Sequence, residues 1–297
     1  MLRLSLAVAL VATIAGPPPA PRTPGSIDWT QVDRAMGKVG AVQPGEVHRY
    51  AFPRSDLTVT LDGIAIKPAL ALGGWVAFKA TGDNEAMVMG DIVLRDDEVG
   101  PVMLKLREGG VEQTALHNHL LRESPVIMYM HIRAHGDPTR MASAIRAALA
   151  LTTTPFIAPS PPATAAGPAP LDTAAIAATL GHSGTLNGTV YQVGVPRGET
   201  IREGGMTVPP AMGVATGINI QATTDGKAVT TGDFVLTAAE VNPVIQALTE
   251  HGIAVTAVHS HMLGEEPRLF FMHFWGNADA VTLARGLCAA LDKTNSK

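Results

Sequence analysis

At 297 residues the chain has room for about two ordinary domains, and 46% hydrophobic residues let each of them bury a core. A net charge of −4 and a pI near 6.2 leave no excess of Lys and Arg for a nucleic-acid backbone, and no basic run interleaves with aromatics. The single cysteine, Cys288, excludes an internal disulfide and a thiolate metal cluster, and it lies in an amphipathic helical pattern as a small core residue.

The first residues carry one positive charge at Arg3, an apolar run from Leu4 to Ala15, and then small residues and prolines. That is the layout of a secretory signal peptide, which predicts removal of residues 1–20 and a periplasmic or secreted location. The run is shorter than the roughly 20 residues a spanning helix needs, and no later segment is longer and as apolar, so no stable membrane insertion is expected.

The rest of the chain is one module written twice. "GDIVLRDDEVGPVMLKLREGGVEQTALHNHLLRESPVIMYMHI" aligns without a gap with "GDFVLTAAEVNPVIQALTEHGIAVTAVHSHMLGEEPRLFFMHF", which begins 142 positions later. Upstream, "GEVHRYAFPR" corresponds to "GTVYQVGVPR" with a small shift. The repeats are read as residues 26–150 and 171–292, joined at 151–170 by a Pro, Ala and Thr stretch without periodicity, a semi-rigid linker.

Each repeat opens on a short helix, with Val32 and Met36, or Ile176 and Leu180, four apart on one face. β-rich segments follow, such as "DLTVTLDG", "GWVAFKA" and "EAMVMGDIVL", or "TVYQVGVP", "GINIQAT" and "KAVTTGDFVL". A helix is then predicted from Pro101 to Arg107, or Pro243 to Thr249, with proline in its first turn and Gly109 or Gly252 at its end. Two strands flank the histidines, and a last helix carries Met141, Ile145 and Leu149, or Leu283, Leu287 and Leu291, capped by Asp137 or Asp279. The expected fold class is α+β: two tandem homologous units, each a mainly antiparallel sheet with packed helices and a histidine-bearing β-hairpin.

Six of the ten histidines fall in two sets: His117, His119 and His131, and His259, His261 and His273. Residues two apart on a strand share a face, and a hairpin turning at Glu123 to Pro125 would put His131 roughly opposite His119. One H-x-H is weak evidence, but the same spacing twice points to metal rather than to core histidines. Three nitrogens with an open fourth position suit zinc; copper is the alternative, because Met128, Met130, Met262 and Met272 lie near. Asp91 and Asp233, each after a glycine, are read as shaping a bend, outside the site.

On "ALHNHLLRESP", "GDFVL", "EVNPVI" and "EEPRLFFMHFWG" the chain resembles the LppY/LpqO lipoprotein family of exported bacterial proteins, which has no assigned activity; the lipidation cysteine of its lipoprotein members is absent here. The hairpin alone is more distantly similar to the zinc site of the acetolactate decarboxylase-like fold. That resemblance implies a three-histidine zinc site over an antiparallel sheet, with carboxylate and arginine side chains near the metal. Glu123 and Glu265 stand where it would place acid-base carboxylates, and Arg54 and Arg197 where it would place substrate-binding arginines. The function expected is an exported zinc-dependent hydrolase or decarboxylase acting on a small carboxylate or carbonyl substrate. The alternative is a non-catalytic metal- or ligand-binding envelope protein. The sequence fixes no oligomeric state.

Overall fold

The computed structural model describes residues 26–82, 84–156 and 170–297; the expected signal peptide and most of the expected linker lie outside them. The first repeat runs α1 (Trp29–Met36), β1 (Ala41–Gln43), β2 (Val47–Pro53), β3 (Val59–Leu61), β4 (Ile64–Ile66), α2 (Pro68–Ala71), β5 (Gly73–Gly82), β6 (Glu85–Arg95), α3 (Asp96–Glu108), β7 (Glu112–His117), β8 (Ile127–Gly136), α4 (Pro138–Leu149). The second runs α5 (Thr173–Leu180), β9 (Thr185–Asn187), β10 (Val190–Pro196), β11 (Arg202–Glu203), β12 (Met206–Thr207), a 3-10 turn (Pro210–Met212), β13 (Ala215–Ala222), β14 (Ala228–Leu236), α6 (Ala238–Glu250), β15 (Ala254–His259), β16 (Glu265–Glu266), β17 (Phe270–Ala278), α7 (Ala280–Leu291).

Each repeat folds around a six-stranded antiparallel sheet of the same order, β1-β2-β5-β6-β8-β7 and β9-β10-β13-β14-β17-β15, so the fold is α+β and duplicated. Strand alternation divides each sheet into two apolar faces. On the first, Tyr50, Val76, Phe78, Val88, Ile92 and Met130 pack on Val32 and Met36 of α1, Val102 and Leu106 of α3, and Met141 and Ile145 of α4. The second repeat does the same with Ile176, Val244, Leu283 and Leu287.

The other faces meet each other. Ala77, Met87 and Met89 join Val214, Val235, Met262 and Phe271 in one buried cluster, and Leu61, Leu70 and Tyr129 join Val190, Val229 and Trp275 in another. The two sheets therefore stack face to face with helices on the outside. Each large apolar side chain buried there contributes about 1.5–3 kcal/mol, so the interface is a core in its own right.

Two boundaries differ from the sequence reading. α3 and α6 begin five residues before Pro101 and Pro243, because Glu98 and Glu240 close capping boxes on the backbone N–H of Arg95 (2.9 Å) and Thr237 (2.6 Å). The prolines thus sit inside the helices, not in their first turns. The start of the expected linker also belongs to the first repeat: Phe156 packs edge-on against Phe52 and under Arg146, and Thr153 binds Glu98. The expected caps hold, Asp137 accepting from Arg140 N and Asp279 from Thr282 N, both at 2.9 Å.

Candidate metal centre

Two adjacent inner strands of each sheet place the site. In β6 and β8 Asp91 lies directly across from His131; in β14 and β17 Asp233 lies across from His273. The glycine before each aspartate lets the neighbouring strand come close, since a Cβ at Gly232 would stand 1.9 Å from the Gly217 carbonyl oxygen and one at Gly90 2.9 Å from that of Trp75. The edge strands are less regular than the sequence implied. β7 and β15 each carry a bulge, His131 faces Ala115, His273 faces Ala257, and His117 faces Tyr129. His119 and His261 lie beyond the strand ends, so His131 does not pair with His119.

The larger correction concerns number: two triads do not make two separate sites. Because the sheets stack, each histidine meets one from the other repeat. The ring centroids of His117 and His259 are 3.7 Å apart, those of His119 and His273 3.7 Å, and those of His131 and His261 3.6 Å. That exchange pattern is a pseudo-twofold axis passing between His117 and His259. Tyr129 stacks on His119, and Phe271 occupies the equivalent place on His261.

Burial favours the neutral form of all six rings, and for every ring but His117 the neighbouring imidazoles add to it. His117 is pushed down to about 4, with burial outweighing its contact with the Asn118 carbonyl; His259 falls to about 3, and the other four fall well below the usual range. Neutral rings keep a lone pair. Nδ1 of His273 lies 2.9 Å from the Gly232 carbonyl oxygen, so it carries the hydrogen and leaves Nε2 as an acceptor. Nε2 of His117, His119, His131 and His273, Nδ1 of His259, and Oδ1 of Asp91 and Asp233 are all buried without a hydrogen-bond partner. Such a collection is costly unless something satisfies it.

The donor set fits a metal. Two groups have ligand atoms within 4.8 Å of one another: His117, His259, His261 and His273, drawn from both repeats, and His117, His119 and His131. The set is compatible with one ion or two, with His117 belonging to either.

Beside the imidazoles is a cavity of about 280 Å³, lined by His119, His131, His261 and His273 together with Asp91, Asp233, Arg49, Trp75, Gln192 and Asn219. Burial pushes the Asp91 carboxyl up to about 7 against the pull of Arg49; burial, and then Asp91 itself, hold Asp233 well above the carboxylate range. Asp233 oxygens lie 3.7 Å from His261 Nδ1 and 3.8 Å from His273 Nδ1. These two aspartates and Arg49 are the site residues the sequence reading missed. The repeated Gly-Asp dipeptide was visible, but only the register puts each carboxylate opposite a histidine.

Neither glutamate nor arginine of the sequence reading lines this cavity. Glu123 accepts from Ile127 N (3.2 Å) and Glu265 from Leu269 N (2.9 Å), each bracing the loop that leads into β8 or β17; burial raises Glu123 to about 7. Arg54 is wholly buried, with its guanidinium on Glu98 (2.7 Å), Asp56 (2.9 Å) and the Val93 carbonyl. Arg197 makes the equivalent bonds to Glu240 and Glu199, both at 2.8 Å, and to the Val235 carbonyl. Both arginines fasten a helix start to a sheet.

Comparison with solved structures gives two chains at low similarity. A trimeric bacterial microcompartment shell protein, PduB, shares 13% identity over 86% of this chain and 90% of its own, with a TM-score of 0.26. EtuB from Clostridium kluyveri shares 10% over 85% and 88%, with a TM-score of 0.19. At those scores neither carries an argument. No curated protein matches. One family model matches twice, over residues 30–151 and 174–293, and so spans both repeats: the chain belongs to the family described as Domain of Unknown Function (DUF1259).

Proposed function

We propose that this chain is an exported metal-dependent enzyme in which the two repeats together build one active centre, acting on a small carboxylate or carbonyl substrate by hydrolysis or decarboxylation. The observation that carries this reading is the convergence of neutral, partnerless imidazole nitrogens with the buried Asp91 and half-buried Asp233 carboxyl groups on one cavity. Zinc suits the all-nitrogen donor set best, with copper second. When bound, the metal would act as a Lewis acid on a substrate oxygen or prepare a water molecule for attack. The sequence resemblances to the LppY/LpqO and acetolactate decarboxylase-like proteins, and the signal-like start of the chain, favour the same reading.

Acid-base work falls to Asp91 and Asp233 in place of the glutamates. Burial raises both carboxyl groups, and Asp91 raises Asp233 further, which favours the protonated form of Asp233. A group in that state can give a proton to a leaving oxygen or a nascent carbanion, while its ionised partner can take one. The second reading, a metal- or ligand-binding envelope protein, is favoured by the deep burial of His131, His261 and His273.

One experiment separates the two. The zinc-loaded protein is screened against ester, lactone and 2-oxo acid substrates, and Asp91→Asn and Asp233→Asn are compared on any hit. The enzyme reading expects each variant to keep its metal and lose about 10²-fold or more in kcat. Undiminished turnover in fully metallated variants would remove the aspartates from the chemistry. An absence of bound metal in reloaded, folded protein would end the reading altogether.

A further inference from the structure

The pseudo-twofold symmetry of the cavity is broken at one pair of positions. Arg49 in β2 and Gln192 in β10 are equivalent: Gln192 Nε2 donates to the Ala69 carbonyl at 2.8 Å, and Arg49 Nη1 donates to the Ala211 carbonyl at 2.5 Å, each reaching into the other repeat. The Gln192 amide also bonds Asn219 Oδ1 at 3.2 Å, and Asn219 Nδ2 donates to the Leu70 carbonyl at 2.9 Å, so that wall is committed to protein partners. Arginine has five N–H donors where glutamine has two. Its guanidinium lies over the Trp75 ring, 3.9 Å from the centroid, and makes no ion pair among the described residues. The bond to Ala211 accounts for one donor; Asp91 acts on this largely buried cation through space but stands beyond ion-pair distance, so no anion touches it, which is costly unless a ligand supplies one.

Space is distributed unevenly as well. Trp75 fills its side, with the edge of its ring against Gly213, whereas the equivalent of Trp75 is Gly217, where a Cβ would meet nothing within 4 Å. On this basis, and resting on the metal-centre reading above, we infer that the cavity takes one small organic monocarboxylate, its carboxylate on Arg49 beside Trp75 and its body toward Gly217. A single cation, two acidic neighbours in Asp91 and Asp233, and about 280 Å³ favour one negative charge on a compact molecule over a phosphate or a large polyanion. Arg49 has no arginine twin, so one ligand binds per chain.

Arg49→Gln is the natural test, because Gln192 shows that glutamine at the equivalent position still makes the inter-repeat bond. Fluoroacetate is titrated into metal-free and zinc-loaded full chain and observed by fluorine NMR, with acetate as competitor and fluoroacetamide as neutral control. One saturable site is expected, competed by acetate and not by the amide. Arg49→Gln should weaken fluoroacetate by about tenfold or more with zinc content unchanged, and Arg49→Lys should recover part of the loss. Unaltered binding in a folded Arg49→Gln protein overturns the inference. If that variant fails to fold, Gly217→Phe fills the space opposite Arg49 and must abolish binding; retention overturns the inference equally. Fluoroacetate binding through Arg49 in protein that takes up no zinc would sink the metal-centre reading and leave the anion site standing, whereas zinc without saturable fluoroacetate does the reverse.

Discussion

Neutral histidines packed ring against ring give the metal-free protein a definite pH dependence. His117 has its usual value of 6.5 when unfolded and about 4 when folded, so between those values the unfolded chain binds more protons. Stability from this group is complete above 6.5 and is lost as pH falls toward 4, up to about 3 kcal/mol. The raised carboxyl of Asp91 works in the opposite sense below pH 7, so the comparison must isolate one residue. His117→Gln should flatten the slope of Tm against pH between 6.5 and 4.5 in chelator-treated protein; an unchanged slope would show that this ring is not buried as described. Arg54→Ala removes the partner of the buried Glu98 carboxylate and should cost about 3–5 kcal/mol in denaturant unfolding, with metal content of the folded fraction intact. At this scale the sequence revealed the six imidazoles but misplaced their helpers. An arginine after proline and a glutamate in a turn look the same whether they face a pocket or brace a loop, and only burial and partners decide between them.

At the scale of elements, alternation made the strands legible and four-residue spacing the helices, down to the Asp137 and Asp279 caps. Two features stayed hidden for physical reasons. Pro101 and Pro243 resemble helix starts, but the capping boxes at Glu98 and Glu240 win over the missing N–H of a proline deeper in the helix. The connection between β7 and β8 runs from 118 to 126 and is no tight turn, a length without any mark in the hydrophobic pattern, and it sets His131 opposite Ala115 and not opposite His119. The Gly-Asp step supplies a clean test. Gly232→Ala puts a Cβ 1.9 Å from the Gly217 carbonyl and should destabilise the protein by about 1–3 kcal/mol or more while loosening His273, whose Nδ1 donates to Gly232. Gly194→Ala, a strand glycine whose Cβ would meet nothing within 4 Å, should stay within about 1 kcal/mol of the parent. Equal losses at both positions would mean that close strand approach is not what Gly232 provides.

For the whole molecule, duplication was plain in the sequence, but its consequence was not. Two copies of a three-histidine hairpin look like two sites, because nothing in a local pattern says which face of one sheet meets which face of the other. The stacking of the sheets brings the six histidines into one cluster and buries a core shared by both repeats. Residues 26–156 and 170–297 expressed alone would each expose the apolar face that now carries Met87 and Met89, or Val235 and Phe271. Neither half should be a stable monomer, and co-expression should restore a soluble pair; two independently stable, monodisperse halves by sedimentation would contradict the shared core. The most direct measurement is an anomalous difference map, collected at the metal's absorption edge, from crystals of the metal-loaded full chain. Density should lie inside the six-histidine cluster, with at least one ion ligated from both repeats. Ions held only by the histidines of their own repeat, or lying outside the cluster, would contradict a centre built by the two repeats together.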